Sequence, residues 1–363
     1  MHFFSQRFVV AAALLAGLGA GAQTNDAPGS QAVEFDQAPP PKLNKIGLSY
    51  RMGMNITADF KKLGGLQLSD PGPATGSTYN RNYDNGYNRV DISGNAGGTT
   101  WYWGYDNPIS VQGNTLTLQS ESTPATATSG KYEDYPQSGV ELTYSRELTR
   151  GKRWRFGLES GLGYTAISIK DEQTLNYFVN RTSDTFALGS VIPPLPPYAG
   201  TFEGPGPLIS SSLTPENRSV SLLSDAATIQ GTRRFESDLF TLRLGPYFEI
   251  PLSRKFAVTL NGGLTLGFAD SKFSFNETVF ISDPLYNINL ASGSRSGSDR
   301  ETDFLVGGYA GANLSYAISD RVGVFAGAMF QAAGESVSKA QGKESILDLG
   351  KSVIISIGAT YSF

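Results

Sequence analysis

Apolar and polar residues alternate along several segments of this chain. The C-terminal segment 352–363 shows the pattern most clearly, because every second residue from Val353 onward is apolar. Successive side chains of a β-strand point to opposite faces of a sheet, so a period of two predicts a strand with one apolar face. The same alternation over 46–60 predicts a first strand that places Ile46 and Phe60 on one apolar face.

Three predicted hairpins lie between these two strands. Each joins two alternating segments by a turn of a few residues, and Pro246 in the second hairpin predicts a local bulge because proline cannot donate to a ladder. The connections between hairpins are long, an asymmetry typical of outer-membrane β-barrels, which predicts periplasmic termini and about eight strands. The hairpins cover 140–166, 240–268 and 304–332, and the long connections cover 61–137, 171–235, 271–302 and, shorter, 335–350.

Alternation alone does not determine which face points outward, and a soluble eight-stranded barrel of the lipocalin type is the structural alternative. The face that consists of small and charged residues would make a poor exterior for a soluble protein. The apolar face carries aromatic residues near the strand ends, as the interfacial girdles of membrane barrels do. Mean hydropathy of −0.20 looks soluble, but polar loops dilute the average of a barrel. We therefore predict an all-β fold, a transmembrane antiparallel up-and-down β-barrel over 45–363 with long extracellular loops. The girdle aromatics are Tyr50, Phe60, Trp154, Tyr164, Phe248, Phe256, Tyr316, Tyr361 and Phe363.

The alternation over 44–363, the loop asymmetry and the terminal Phe363 resemble the small bacterial outer-membrane β-barrels, in particular the transmembrane domain of the outer membrane protein A type. The resemblance implies a place in the outer membrane of a Gram-negative cell and contact with its lipid and lipopolysaccharide. It implies insertion by the barrel-assembly machinery, with Tyr361 and Phe363 as the C-terminal assembly signal. It further implies no cofactor and no peptidoglycan-binding domain after the last strand.

The N-terminal residues favour export. Arg7 precedes an apolar run over 8–18 that is too short to span a bilayer, and small residues follow it, so we predict a signal peptide over 1–22. The polar, Pro-rich segment 23–44 predicts a flexible periplasmic leader. Removal of Arg7 with the signal leaves 28 basic against 33 acidic residues, a formal charge of −5, which gives no indication of nucleic acid as a partner.

Catalytic residues are scarce in the sequence. His2 is the only histidine and lies in the predicted signal, and the chain has no cysteine, so imidazole and thiolate chemistry are absent from the mature chain. Known outer-membrane barrel enzymes resemble one another in relying on a histidine, and this chain departs from them. A carboxylate-only or Ser-Lys mechanism is chemically open, but no local motif favours it. We expect no enzyme and no bound metal.

Charged residues on the predicted inner face form the best-supported group. Counting along the strands places two acids and two bases at a similar depth, and eight strands leave an interior just wide enough to be filled by side chains. We hypothesise a lumenal plug of salt bridges, with separate hydration of the charges as the alternative. The group comprises Arg51, Glu141, Glu159 and Arg243, with Arg155 and Glu249 as a second pair near the periplasmic end.

The first long connection is rich in aromatic residues, Asn, Asp and Gly, a composition that suits stacking on sugars or protein surfaces. The alternative is that these residues form β-extensions that pack on one another. The sequence therefore predicts a non-enzymatic barrel with a plugged lumen. Its role would be structural, or its loops would bind an unidentified extracellular ligand. A narrow porin-like pore for small solutes is the alternative if residues 87–118 add strands. The loop candidates are Tyr83, Asp84, Tyr87, Trp101, Trp103 and Tyr105.

Overall fold

The computed structural model describes residues 43–67, 69–283 and 288–363, which are almost entirely β. The predicted signal 1–22 and nearly all of the leader 23–44 lie outside these residues. No helix in the described part is long and apolar enough to cross a membrane. The strands are β1 Asn44–Met54, β2 Thr57–Lys61, β3 Arg81–Tyr83, β4 Gly86–Asn88, β5 Thr99–Thr100, β6 Trp103–Tyr105, β7 Val111–Gln112, β8 Thr115–Ser122, β9 Lys131–Glu133, β10 Gln137–Arg150, β11 Arg155–Asp171, β12 Leu175–Ala187, β13 Tyr198–Ala199, β14 Ile209–Ser210, β15 Arg218–Pro251, β16 Phe256–Asp283, β17 Ile288–Ala317, β18 Val322–Ala332, β19 Glu335–Ala340, β20 Lys343–Asp348 and β21 Ser352–Ser362; short 3₁₀ turns lie at Ala96–Gly98, Pro108–Ser110 and Pro215–Asn217.

Within the described residues, the segments predicted as spanning strands are all present and all antiparallel. Each pairs with two neighbours in the order β1, β10, β11, β15, β16, β17, β18, β21, and β21 pairs in turn with β1. The β11–β15 ladder joins strands that are far apart in sequence, from Arg155 opposite Glu249 to Asp171 opposite Arg233.

A band of apolar residues covers the outward face of these strands. In β15, Phe240, Leu242 and Leu244 are exposed, while the intervening Thr241 and Arg243 are buried. The outward apolar run in β15 reaches Ile250, about the 9–11 residues that a tilted strand needs to cross a bilayer.

The outward face becomes polar at one level. An aromatic row marks that level, because Tyr164, Phe240, Phe268 and Phe304 lie opposite one another across four adjacent strands. Two residues beyond this row, in the same register, the outward positions are Asp238 on β15, Asp270 on β16 and Thr302 on β17, while β11 has the small Ala166 there.

Beyond this row the inward face becomes apolar. Phe235 and Phe273 are fully buried on β15 and β16, and they belong to a core completed by a small sheet of order β19-β20-β2-β9. Phe60 of β2 packs against Phe273 with ring centroids 5.7 Å apart, and Leu347 of β20 is fully buried. The interior is therefore polar alongside the apolar band and apolar above it.

A second apolar cluster is separate from this core. It contains Trp103, Leu118 and Phe186 and is built by β3–β8 and β12–β14, which we call the head. The head is continuous with the large sheet, since β12 pairs with β15 and β8 pairs with β12.

The predicted first strand over 46–60 is wrong in its second half. Asn55 has a φ of 57° and breaks the strand, after which β2 joins the small sheet. Ile56 and Phe60 are consequently buried, so Phe60 is not a girdle residue. The period of two continues through the break, which is why the sequence pattern did not reveal it.

The predicted long loops are largely strands. Segment 271–302 continues β16 and β17 on either side of the undescribed residues 284–287, and segment 171–235 contains β12 and the first half of β15. Segment 61–137 supplies β3–β8 of the head and β9 of the small sheet, and segment 335–350 supplies β19 and β20 of the small sheet. The period of two persists in the long strands, but their outward residues are polar, a pattern that had indicated loops.

Pro246 produces no bulge. The β15–β16 register is the same on both sides of it, with Leu244 opposite Leu264 and Tyr247 opposite Asn261. The ladder skips the positions between them, and a Cβ on Gly245 would overlap the carbonyl oxygen of Gly262. A gap in the ladder lined by glycine therefore accommodates the missing donor.

Candidate functional site

The inward charges predicted from sequence meet at one level of the polar interior. Glu141 of β10 lies opposite Ser49 on one side and Gly163 on the other, which directs it toward Arg51 and Arg243. Glycine is required beside them, because a Cβ on Gly163 would lie 2.5 Å from Arg51 Nη1. The small residues of this face thus leave the space that the guanidinium groups occupy.

Glu141 is the centre of the network. Arg243 donates from Nε to Oε1 at 2.7 Å and from Nη2 to Oε2 at 2.9 Å, and Arg51 donates from Nη1 to Oε1 at 3.1 Å. The three side chains are 3–6% exposed. A bidentate Arg–carboxylate pair is among the strongest and most directional of protein hydrogen-bond arrangements.

Two further groups extend this network. Glu159 Oε1 lies 3.6 Å from Arg243 Nη2 and accepts a hydrogen bond of 2.9 Å from Asn261 Nδ2. The Arg243 guanidinium lies 4.5 Å from the centre of the Tyr309 ring. Asn261 and Tyr309 were not predicted. The sequence does not distinguish neutral polar residues that contact the charged network from those that only occupy space in the interior.

The second predicted pair also forms. Arg155 Nη1 donates to Glu249 Oε1 at 3.0 Å, and Lys45 Nζ donates to Glu249 Oε2 at 3.0 Å. Lys45 had been treated only as the start of the first strand. The register of β1 with β21 and β10 places it at the end of the interior away from the apolar core.

A cavity of about 70 Å³ lies between these two groups, lined among others by Thr143, Asn313 and Ser356. A water molecule needs about 10–15 Å³ of such space and two or more polar partners, so the cavity suits a few waters. Glu141, Glu159 and Glu249 each accept from at least one nitrogen, which leaves none of them as an unengaged general base. The arrangement fills and cross-links the interior.

A second buried charge cluster, missed by sequence analysis, lies in the apolar core. Arg233 donates to Asp171 at 2.9 Å, and Glu277 lies 3.7 Å from Arg233, 3.2 Å from Arg295 and 2.6 Å from Lys343. Burial lowers the pKa of Lys343, and the Glu277 carboxylate opposes that shift. Arg233 and Arg295 lie in segments that the sequence predicted as loops, and both are directed toward the buried Glu277.

The aromatic loop candidates divide into two groups. Tyr83, Trp103 and Tyr105 are buried in the head, as the packing alternative predicts, and are not available to a ligand. Tyr87 and Trp101 are partly exposed.

Hydrogen bonds fix several of these residues. Tyr83 donates to Asp184 at 2.5 Å, and burial together with this bond raises the pKa of Tyr83. Asp184 also accepts two hydrogen bonds from Arg218, at 2.7 and 2.6 Å. Asp84 accepts a 2.7 Å hydrogen bond from the Glu121 amide, so it ties the connection between β3 and β4 to β8. Among the residues described, no group of three or more His, Cys, Asp or Glu could hold a metal ion.

The chain terminus lies against the first strand. The amide of Phe363 donates to the carbonyl of Asn44 at 2.9 Å. The rings of Tyr361 and Phe363 stack with centroids 6.4 Å apart and are 40% and 52% exposed. Both belong to the outward apolar band.

Comparison with known proteins finds only weak structural likenesses. No family model and no curated protein matches the chain. Among solved structures, Ail, the attachment invasion locus protein of Yersinia pestis, is 10% identical with a TM-score of 0.27, and the alignment covers 89% of this chain and 100% of Ail. The outer membrane protease OmpT of Escherichia coli is 12% identical with a TM-score of 0.28, covering 89% and 98%. At these scores the likenesses carry no argument about fold or activity.

The Glu141→Gln variant tests the central network. Removal of the carboxylate charge leaves two buried guanidinium groups, Arg51 and Arg243, with only the more distant Glu159 near Arg243, and breaking a buried pair costs about 3–5 kcal/mol. We expect a loss of that size in the free energy of unfolding, measured by urea denaturation in detergent micelles. The matched control is Glu236→Gln, whose exposed pair with Arg234 at 3.4 Å should contribute less than about 1 kcal/mol. Equal losses in the two variants would contradict the network.

Glu121 predicts a pH dependence of the head. Burial, and then the hydrogen bond and charge of Asp84, raise the pKa of Glu121 from its ordinary 4.5 to about 8, against the opposing effect of Arg181, whose Nε donates to Glu121 Oε1 at 2.8 Å. The folded head therefore retains a proton that the unfolded chain releases above pH 4.5, so this stabilisation is complete below pH 4.5 and is lost as the pH rises to about 8.

Hydrogen–deuterium exchange of the β8 amides, corrected for intrinsic rates, checks this pH dependence. Exchange should accelerate between pH 5 and pH 8, by at most about tenfold per pH unit. Glu121→Gln cannot titrate and should show a flat profile. A wild-type profile that is equally flat would refute the assignment.

Proposed function

We propose that the chain is a non-enzymatic integral protein of the bacterial outer membrane, a closed eight-stranded barrel with a plugged lumen that carries a head outside the cell. The observation that supports this most strongly is the change of polarity at the row of Tyr164, Phe240, Phe268 and Phe304. An outward apolar band about ten residues tall, edged by aromatics, fits the lipid-facing surface of a barrel. A soluble protein would leave such a band in water.

Two barriers in series support a closed lumen. The lower barrier is the Arg51–Glu141–Arg243 network, whose paired charges are buried. The upper barrier is the apolar core, in which Phe60, Phe235 and Phe273 are fully buried. A narrow pore, the alternative function, would require a water-filled path past both groups.

The role of the barrel is then to anchor the head at the cell surface. In this proposal, the band contacts outer-membrane lipid and lipopolysaccharide, and Tyr361 with Phe363 forms the segment that the barrel-assembly machinery recognises. The carboxylates of the interior serve as partners for Arg and Lys and not as catalysts. The head supplies the surface that meets other molecules.

Planar-bilayer recording tests the closed lumen. We expect that the folded wild-type protein, verified by heat-modifiable gel mobility, adds no stable conductance, because ions cannot cross the apolar core. A known porin in the same bilayers serves as the control for the assay. Long-lived current steps of uniform size from the folded protein would establish the pore instead.

A further inference from the structure

A cleft of about 480 Å³ opens on the surface of the head, apart from both charge clusters. Its walls combine two aromatic rings, two amides and one guanidinium group. This composition differs from that of the buried aromatic core beneath it, where Trp103 and Tyr105 are completely enclosed. The lining residues are Asn80, Asn82, Arg89, Val90, Tyr102 and Phe202.

The aromatic wall is fixed before any ligand arrives. Tyr102 and Phe202 meet edge to face with centroids 6.3 Å apart, and Tyr87 meets the other side of Tyr102 at 5.5 Å. The Phe202 carbonyl accepts from the Ile92 amide at 3.0 Å and from Trp101 Nε1 at 3.2 Å. Such preorganisation lowers the entropic cost of binding.

Arg89 is held in the cleft by contacts that engage two of its guanidinium nitrogens, Nε and Nη1. Its Nε donates to Asn82 Oδ1 at 2.8 Å, and its Nη1 donates to the Tyr102 hydroxyl at 3.2 Å. The guanidinium carbon lies 4.5 Å from the centre of the Tyr87 ring. No acceptor for Nη2 is found among the described residues, and Arg89 is partly exposed. The cleft therefore offers an oriented cationic donor beside an apolar wall.

We propose that this cleft binds a saccharide that carries an acidic group. The apolar C–H face of a sugar ring lies against Tyr102 and Phe202, since amphipathic aromatic rings suit such stacking. The Nδ2 groups of Asn80 and Asn82 provide donors for hydroxyl groups, while their oxygens already accept from Val90 N and Arg89 Nε and so orient both amides. Arg89 Nη2 donates to the carboxylate, sulfate or phosphate oxygen of the acidic group, for which guanidinium geometry is well matched. The proposal rests on the proposed function, which places the head outside the cell.

Binding of defined oligosaccharides to the purified full-length protein in detergent micelles tests the proposal. The probes are sialyllactose and its neutral counterpart lactose, measured by saturation-transfer NMR and calorimetry. We expect sialyllactose to bind about tenfold more tightly than lactose, the size of effect that one charge-assisted hydrogen bond gives. No binding of sialyllactose or of a sulfated lactose at ~10 mM, the weak end of specific affinity, would overturn the proposal.

Three variants assign the site. Arg89→Gln should abolish the preference for the acidic probe while retaining weak binding of lactose, and retention of the preference would refute the role of Arg89. Phe202→Ala should weaken the binding of both probes. This ring is 48% exposed, so its removal leaves the fold intact. Tyr135→Ala, which removes a ring that is 85% exposed and does not line the cleft, is the control and should bind as the wild type does.

Three further measurements identify the source and class of the ligand and test the placement of the head. Displacement of sialyllactose by soluble core oligosaccharide of lipopolysaccharide would assign the ligand to the protein's own membrane, whereas displacement only by other acidic glycans assigns it to another surface. An acidic peptide that binds in an Arg89-dependent manner when no sugar does would refute the saccharide. Labelling of an Asn80→Cys variant on intact cells tests the placement of the head independently, because the binding of purified protein does not depend on that placement.

Discussion

In the proposed membrane placement, burial of an apolar exterior in lipid is the constraint on which the rest of the structure depends. Each spanning strand must pair all of its backbone polar groups within the protein, because lipid offers no hydrogen bonds. A ring of antiparallel strands meets this requirement, and alternation then turns every second residue inward. Since the apolar residues point outward, the polar residues fill a narrow interior, and Arg51, Glu141 and Arg243 satisfy one another there.

Beyond the aromatic row, the same strands have polar residues on the outward face and apolar residues on the inward face. Beyond Phe240 and Phe268 the outward residues of β15 and β16 are polar, so their apolar residues turn inward and need a core to bury them. The small sheet of β2, β9, β19 and β20 provides that core. This change of polarity explains why an ionic network and an apolar core occur along one interior, and why the head can extend from the same long strands.

The spanning halves of the strands were predictable from sequence because their alternation has one polarity, apolar outward. The Arg51–Glu141–Arg243 group followed from counting along those strands, since residues at equal depth must meet in a narrow barrel. The upper halves were not predicted, because outward Asp238 and Asp270 made continuous strands look like loops. Arg233 and Glu277 were missed for a related reason: a charge in an assumed loop is expected to be solvated, and only the tertiary fold places it in a core.

The change of polarity along a single strand is the central claim, and cysteine accessibility in β16 tests it most directly, because the chain contains no native cysteine. Single cysteines would replace the exposed outward residues Leu264 and Asn276, which lie on opposite sides of the aromatic row. In liposomes, a membrane-impermeant maleimide should label position 276 rapidly and position 264 not at all, and brominated lipid should quench a fluorophore only at position 264. Rapid labelling at both positions, with no quenching at position 264, would contradict the account.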